Sequence, residues 1–463
     1  MSDRAIVTIS NRLPVAKTSS GWRASAGGLV TALKPVMESR PGAWVGWDGG
    51  AEDVPAKVPD LSVRLRPVSL SRAEVNAFYH GFSNRSIWPL FHDLVQPATF
   101  DRAWWENYRV VNERFAGETA RLRLRGAPDA LLWVQDYHLM LLPQMLRRRR
   151  PDAPIAFFLH IPWPAPELFS RLPWREEILR GLLGADVVSF HTDRYRKNFV
   201  RTCGRLLDCE VSGRTITMDG HTVSTSACPI SIDAKAFERL ATSDEVENEL
   251  ARLRKQFSGR RVLAGVDRLD YTKGILERLE ALEQLLERRP DLRTKLTFVQ
   301  IAVPSRGAVR EYRELRTQIE QVIGRINGRF TEPGHDVPVY YLHRGVPLPR
   351  LIAYYRLADV FLVTPLKDGL NLVSKEYVVS QAAGGDAGAL VLSEFTGAAL
   401  ELERAILCNP FDIDGVSNAI ERALEMSADE RRERLADMAK RVRRNDVFRW
   451  LDRQLREVDR VLG

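Results

Sequence analysis

The sequence predicts an α/β protein made of two doubly wound domains facing a central cleft. Three observations lead to that reading. Apolar runs rich in β-branched and aromatic residues alternate with helix-like segments along nearly the whole chain. The runs are continuous and do not alternate with polar residues, which is the pattern of parallel strands covered on both faces. At 463 residues, the chain is also too long for one simple core.

Taken in order, "AIVTIS" (5–10) opens the first strand, followed by a glycine turn and the helical "LVTALKPVMES". "LLWVQ" (131–135), "IAFFLH" (155–160) and "ADVVSFH" (185–191) continue the strands of the first half, and "DRYRKNFVRTCGRLL" reads as a helix. Around 212–229 the pattern changes to two short strands about an Asp219-Gly220 turn, and a polar helical stretch, 234–258, follows. Parallel alternation then resumes with "RRVLAGVDR", "KLTFVQIAV", "PVYYLH", "DVFLVTP" and "ALVLSE". The boundary is therefore placed near residue 235, giving domains 1–235 and 236–445 and a terminal helical segment 446–463.

Composition narrows the class. The chain is 44% hydrophobic and 28% charged, which is ordinary for a soluble globular protein. No apolar run has the length of a membrane span and "MSDRAIVTIS" does not resemble a signal peptide, so the cytoplasm is the expected location. Cys203, Cys209, Cys228 and Cys408 show no CxxC spacing, which argues against a zinc site or a disulfide framework. A formal charge of +8 favours an anionic partner. The densest run, Arg147 to Arg150, ends a helix pattern, where cations complement the helix dipole. The expected partners are therefore small molecules, with no nucleic acid and no membrane, and the expected assembly is a homo-oligomer.

In doubly wound sheets ligands sit beyond the carboxyl ends of the strands, at helix N-termini. The unusual residues of this chain lie there. "GVDRLDYTKG" presents Arg268 and Lys273, and "QIAVPSRG" presents Arg306. Arg offers a planar fork and Lys a point charge, a combination suited to a diphosphate. "TPLKDGLNLVSKE" brings Asp368, Gly369, Leu370 and Asn371 before a helix whose first N–H groups belong to Leu372 and Val373. Gly369 permits close backbone approach, Asn371 is a natural N-cap, and the first amides can take phosphate oxygens. Asp368 and Glu376, acids beside a phosphate site, point to sugar or ribose hydroxyls. Arg344, Gly345 and Val346, after "YYLH", line the same edge.

In the first half, Arg12 follows the first strand and Gly27 and Gly28 open a helix. Tyr79 and Trp88 can pack on a sugar ring or belong to the core. Asp136 and His160 each close an apolar strand, and His138 lies beside Asp136. A metal set from Asp136, His138 and His160 lacks the usual ligand spacing, so no metal and no cofactor are expected. There is no GxSxG, no GxxxxGK[ST] and no GxGxxG after the first strand, which argues against a serine hydrolase, an ATPase and a dehydrogenase.

The motifs "SNRLPV", "SAGGLVTAL", "FSNRSIWPLFH", "WVQDYHLMLLP", "FFLHIPWPAPELF", "VDRLDYTKG", "PSRG", "GRING" and "TPLKDGLNLVSKEYV" occur in the order seen in the trehalose-6-phosphate synthases, and the chain resembles that family from residue 5 to about 425. The resemblance implies a GT-B fold with two Rossmann-like domains, and a metal-independent, retaining transfer of glucose from a nucleotide sugar to glucose 6-phosphate. It implies that Arg12, Tyr79, Trp88 and Arg306 hold glucose 6-phosphate, that Asp136 contacts the acceptor and His160 the donor glucose. It places Gly28, and Gly27 beside it, near the donor diphosphate, which Arg268 and Lys273 neutralise. Asp368 is then a ligand of donor hydroxyls, the Leu372 and Val373 amides of phosphate, and Glu376 of ribose. The last helix is expected to cross back onto the first domain. Leu370 stands where the family often has Met. "HRGV" differs from several relatives near the base, where Val346 and the small Gly345 keep GDP-glucose open beside UDP-glucose. Alternatives are a synthase with another acceptor, such as glycerol 3-phosphate or a cyclitol phosphate, and a catalytically silent sugar-phosphate sensor.

Overall fold

A computed structural model describes residues 4–462 apart from 19–20, 25–32, 35–36, 38–41, 51–52, 59–60, 62, 95–97, 123, 125–126, 128 and 308. The chain divides into two compact units: Met1–Ile230 with Val447–Gly463, and Ser231–Asp446. The first break falls a few residues before 235. Asp233 accepts from the Ala236 N–H and so caps a helix, Ala234–Ala241, whose Phe237 and Ala241 belong to the second unit's core.

In the first unit the strands are β1 (Ile6–Arg12), β2 (Val15–Thr18), β3 (Gly21–Ala24), β4 (Gly42–Trp47), β5 (Arg64–Val68), β6 (Leu131–Gln135), β7 (Ile155–Phe158), β8 (Val187–Phe190), β9 (Glu210–Ser212), β10 (Thr215–Met218) and β11 (His221–Ala227). Nine of them form one sheet in the order β5-β4-β1-β6-β7-β8-β11-β10-β9, while β2 and β3 pair as a separate hairpin. The first seven are parallel, and the Asp219-Gly220 turn joins β10 to β11 antiparallel. From β5 to β8 this is the doubly wound order in which the sheet starts in the middle, grows one way, and then reverses between β1 and β6.

The second unit contains β12 (Arg261–Arg268), β13 (Leu296–Val303), β14 (Val339–Leu342), β15 (Val360–Val363), β16 (Ala389–Ser393) and β17 (Ile406–Cys408). They are all parallel, ordered β14-β13-β12-β15-β16-β17, so this sheet reverses between β12 and β15. Alternate residues of each strand feed opposite layers of the core. Val262, Ala264, Val266, Phe361 and Val363 pack on one side, and Leu263, Val360 and Leu362 on the other. Each fully buried side chain of this kind contributes about 1.5–3 kcal/mol over an exposed one, which is why the strands read as unbroken apolar runs.

Three parallel strands were not legible in the sequence. β5 ("RLRPV") carries Pro67 and lies at a sheet edge, where a missing N–H costs no ladder bond. β17 is only three residues long and also an edge. β4 ("GAWVGW") is internal but broken by glycines that its neighbour requires: a Cβ on Gly46 would sit 2.6 Å from the Arg12 carbonyl carbon. The helix read as "LVTALKPVMES" falls mostly outside the described residues. The last helix, Val447–Leu462, lays Trp450, Leu451, Leu455 and Val458 into the first unit's core, where Trp450 meets Trp133 at 5.2 Å between ring centres.

Candidate active site

Strand order sets where chemistry can sit. Where a doubly wound sheet reverses, the two loops leaving adjacent strands diverge and open a crevice. In the second unit those loops follow β12 and β15, and they carry Arg268, Lys273 and the stretch Thr364–Asn371. The loops are joined backbone to backbone, with the Leu366 N–H donating to the Thr272 carbonyl at 2.8 Å. Gly274 has φ +62°, and a Cβ there would collide with the Thr364 carbonyl oxygen, so glycine is needed on both counts.

Within this crevice Lys273 is not displayed alone. Its Nζ donates to Asp368 Oδ2 at 2.6 Å. The same carboxylate accepts from Asn371 Nδ2 at 3.1 Å and from the Leu370 N–H at 3.4 Å. Asn371 adopts a left-handed φ of 82° and caps the helix Leu372–Gly384 by accepting from the Ser374 N–H at 3.0 Å. That cap places the first-turn amides of Leu372 and Val373 at the mouth of the crevice. Leu370 is buried, and its carbonyl accepts from the Ala398 N–H, which holds the Gly369–Leu370 backbone against the neighbouring loop.

Glu376 lies one turn into the helix and accepts from the Tyr355 hydroxyl at 2.8 Å. Burial pushes its carboxyl above the ordinary range, and the Tyr355 bond only partly offsets this. Lys367, half-buried beside Asp368, has its amine pushed down to about 8 by desolvation. Val346 is half-buried against the core at the exit of β14, two strands from β12, while Arg344 and Gly345 are exposed.

Arg306 is placed differently from the display expected of a phosphate ligand. It follows β13 with φ +48°, is buried, and donates from Nη1 to Asp270 Oδ2 at 3.0 Å and to the Tyr312 hydroxyl. Asp270 also takes the Thr272 N–H and hydroxyl, so one buried carboxylate organises the loop that carries Lys273. Burial alone would raise that carboxyl, but Arg306, then Arg268 and Lys273, bring it below the ordinary range. Arg268 ends β12 with its side chain exposed.

In the first unit the corresponding reversal lies between β1 and β6. Arg12 ends β1 with its guanidinium over the Trp47 ring, 4.5 Å from the centroid. Asp136 follows β6 in a left-handed conformation, φ +70°, and its Oδ1 accepts from the His160 N–H at 3.1 Å. His160 Nε2 donates to Gln135 Oε1 at 2.9 Å. Burial first, and then the neighbouring His191, hold the His160 imidazole well below the ordinary histidine range, so it is neutral at pH 7. Tyr79 stacks on His138 at 5.7 Å, His138 touches Tyr137 at 3.9 Å, and Trp88 meets Tyr137 at 5.7 Å. Tyr79 and Trp88 are carried by a helix with unusually wide turns, Val75–Ile87, and the short helix after it. Tyr79, Trp88, Asp136 and His160 are therefore brought to one end of the sheet.

Gly27 and Gly28 lie outside the described residues. Sequence reasoning missed Gln135, Asp270 and Tyr355, whose partners His160, Arg306 and Glu376 are distant in the chain, and only the strand-end positions of Gln135 and Asp270 hinted at them. Among the described residues no group of three or more His, Cys, Asp or Glu side chains is placed to hold a metal ion, the set Asp136, His138 and His160 included. No helix among them is long and apolar enough to cross a membrane.

The model of glycosyltransferase family 20 matches residues 1–460. The chain belongs to that family. Its fold is GT-B in class, with both units doubly wound, and it is an enzyme of the trehalose-phosphate synthase kind. Similar family-20 proteins include the trehalose-6-phosphate synthase of Mycolicibacterium paratuberculosis, 47% identical over 465 residues, covering 96% of this chain and 93% of that one. Among solved structures, the UDP-forming synthase of Burkholderia xenovorans in complex with glucose-6-phosphate is 36% identical and covers 98% of this chain and 100% of that one, with a TM-score of 0.89. An E. coli relative bound with UDP-2-fluoro glucose is 35% identical, covers 98% of each chain and has a TM-score of 0.89.

Proposed function

We propose that this enzyme moves glucose from a nucleotide-glucose, UDP-glucose first, to glucose 6-phosphate with retention, giving α,α-trehalose 6-phosphate. The observation that carries the reading is the crevice between β12 and β15. Two cations, Arg268 and Lys273, and a helix N-terminus share it with two acids, Asp368 and Glu376. That combination suits a sugar diphosphate: cations and amides face its phosphates, Asp368 its sugar hydroxyls and Glu376 its ribose.

In this scheme Arg12, Tyr79, Trp88 and Arg306 hold glucose 6-phosphate, with Asp136 on the acceptor sugar and neutral His160 on the donor glucose. The acceptor hydroxyl attacks from the face that the diphosphate leaves. The C–O bond to the diphosphate breaks as the new one forms, and the acceptor proton passes to the departing phosphate oxygen. Charge grows on the diphosphate during this step, and prearranged donors aimed at it lower the barrier. The reading invokes neither an enzymic nucleophile nor a cofactor, because Arg268, Lys273 and the Leu372 and Val373 amides meet that charge.

The base is the open choice. Gly345 is exposed and a Cβ there would meet nothing within 4 Å, so this edge does not select against a larger base, and GDP-glucose is the second donor to test.

A donor and acceptor panel tests the proposal. UDP-, GDP- and ADP-glucose are incubated with glucose 6-phosphate, glycerol 3-phosphate or water, and nucleotide release is measured. Release that depends on glucose 6-phosphate is expected, with product anomeric configuration read by NMR. No such release with any donor overturns the assignment. Preference for glycerol 3-phosphate would select the alternative acceptor, and silence with every pair would favour a sensor.

A further inference from the structure

Arg278, on the helix Ile275–Arg288, is fully buried, and its guanidinium touches four segments of the second unit at once. Nη1 donates to Asp267 Oδ2 at 2.7 Å and to Gln300 Oε1 at 2.8 Å. Nε donates to Thr364 Oγ1 at 3.0 Å, and Nη2 to the Lys273 carbonyl at 3.3 Å. Asp267 precedes Arg268 at the end of β12, Gln300 lies in β13, and Thr364 opens the loop that leads to Asp368. Backbone space is reserved for this side chain. A Cβ on Gly265, in β12, would come within 2.5 Å of Arg278 Nη1 and 2.9 Å of Gln300 Oε1.

Stability alone is a poor reason for such an arrangement. Both partners of the Arg278–Asp267 pair are out of water, and buried ion pairs are commonly no better than apolar residues of the same volume. What the pair supplies is direction. A planar fork with five fixed N–H vectors sets the distance between the Lys273 loop and the Thr364–Asn371 loop in a way that apolar packing does not. Those loops carry the groups that face the donor diphosphate, and a displacement of about 1 Å at such a site can cost on the order of 100-fold in rate.

We propose that Arg278 is a positioning residue for the nucleotide-sugar half of the reaction: through Asp267, Thr364 and the Lys273 carbonyl it sets the spacing of Arg268, Lys273 and Asp368, and it leaves the acceptor half untouched. This rests on the donor assignment given above.

The test separates positioning from simple structural support. In the double variant Arg278→Met/Asp267→Asn both charges go together, so neither is left buried alone. The expected result is a melting temperature within a few degrees of the parent and an acceptor KM within about twofold. Donor kcat/KM should fall at least about tenfold, as should affinity for UDP in calorimetry. Arg278→Lys, which keeps the charge but not the fork, should fall between the two. Wild-type donor kinetics and UDP affinity in the folded double variant overturn the proposal, as does a loss shared equally by donor and acceptor. If the double variant does not fold, Gly265→Ala presses on Nη1 without removing a charge. A donor-specific loss in that variant supports the proposal, and unchanged UDP binding overturns it. Failure of the underlying function looks different: the unmodified enzyme would release no nucleotide in the panel, while the ratio of UDP affinities would still decide the role of Arg278.

Discussion

Lys273 Nζ and Asp368 Oδ2 lie 2.6 Å apart, with both side chains largely buried. The cation proposed for the diphosphate and the acid proposed for the sugar hydroxyls therefore form one coupled unit. Removing Asp368 alone would free the ammonium but also leave it desolvated and unaimed. Asp368→Asn is expected to lower donor kcat/KM at least tenfold, and Lys273→Met similarly. The double variant should lose much less than the product of the two, because contacting residues are non-additive. Strictly multiplicative losses across this cycle would show that the two act independently.

The Arg306–Asp270 pair makes a simple alanine test of Arg306 misleading. Arg306→Ala leaves the Asp270 carboxylate buried without its main partner, a change that typically costs about 3–5 kcal/mol. Arg306→Ala/Asp270→Asn removes both charges. If Arg306 serves the acceptor phosphate, this double variant should raise acceptor KM with little change in donor KM. Equal acceptor KM values in parent and double variant would contradict that role.

The same pair predicts a pH dependence of stability. The folded Asp270 carboxyl lies below its ordinary value, so the unfolded chain binds a proton more readily than the folded one. The stabilisation is full above about pH 4, the ordinary carboxylate value, and is lost as pH falls towards and through the lower folded value. Melting temperatures of the parent should therefore drop faster than those of Asp270→Asn on acidification below about pH 4. Parallel curves would remove Asp270 as the cause.

Glu376 has the opposite sign. Its folded carboxyl is raised, so the unliganded protein loses stability as pH climbs from the ordinary glutamate value through the raised one. Glu376→Gln should then raise the melting temperature at pH 7 while weakening nucleotide-glucose binding about tenfold or more. Function at the expense of stability is the expected pattern for a ligand-facing acid. A variant that is less stable at pH 7 and binds the donor normally would contradict it.

Lys367 offers a chemical check. An amine near 8 is about half deprotonated at pH 8, where ordinary lysines near 10.4 are almost all charged. A limiting amount of an acylating reagent at pH 8 should label Lys367 ahead of exposed lysines, and UDP should protect it if it borders the donor crevice. Mass spectrometry of digested protein reads both. Labelling no faster than at Lys17, an exposed lysine, would contradict the depressed value.

Much of the architecture is legible along the chain. Strand and helix are marked by periods of a few residues, and a parallel strand buried on both faces must be apolar throughout. The runs "LLWVQ", "RRVLAGVDR" and "DVFLVTP" therefore announce β6, β12 and β15, and the residues at and just beyond their ends name Asp136, Arg268, Lys273 and Asp368. The misses have causes. β5 and β17 are edges that need not be continuously apolar, and β4 is interrupted by the glycine that the close approach of Arg12 demands.

By itself, then, the sequence determined two parallel α/β units, the polar residues at their strand ends and, through many short motifs, the family. Local patterns suffice for these, because neighbouring residues decide them. Only the tertiary structure decided the strand orders, whose reversals between β1 and β6 and between β12 and β15 open the two crevices. It also decided which polar groups meet: Arg306 turns inward to Asp270, Glu376 is bonded to Tyr355, and Arg278 gathers Asp267, Gln300, Thr364 and Lys273. Lys273 and Asp368 are separated by 95 residues, and nothing in either segment specifies the other. Their pairing follows from the sheet, which sets two distant loops side by side in a place where an unpaired charge would be costly.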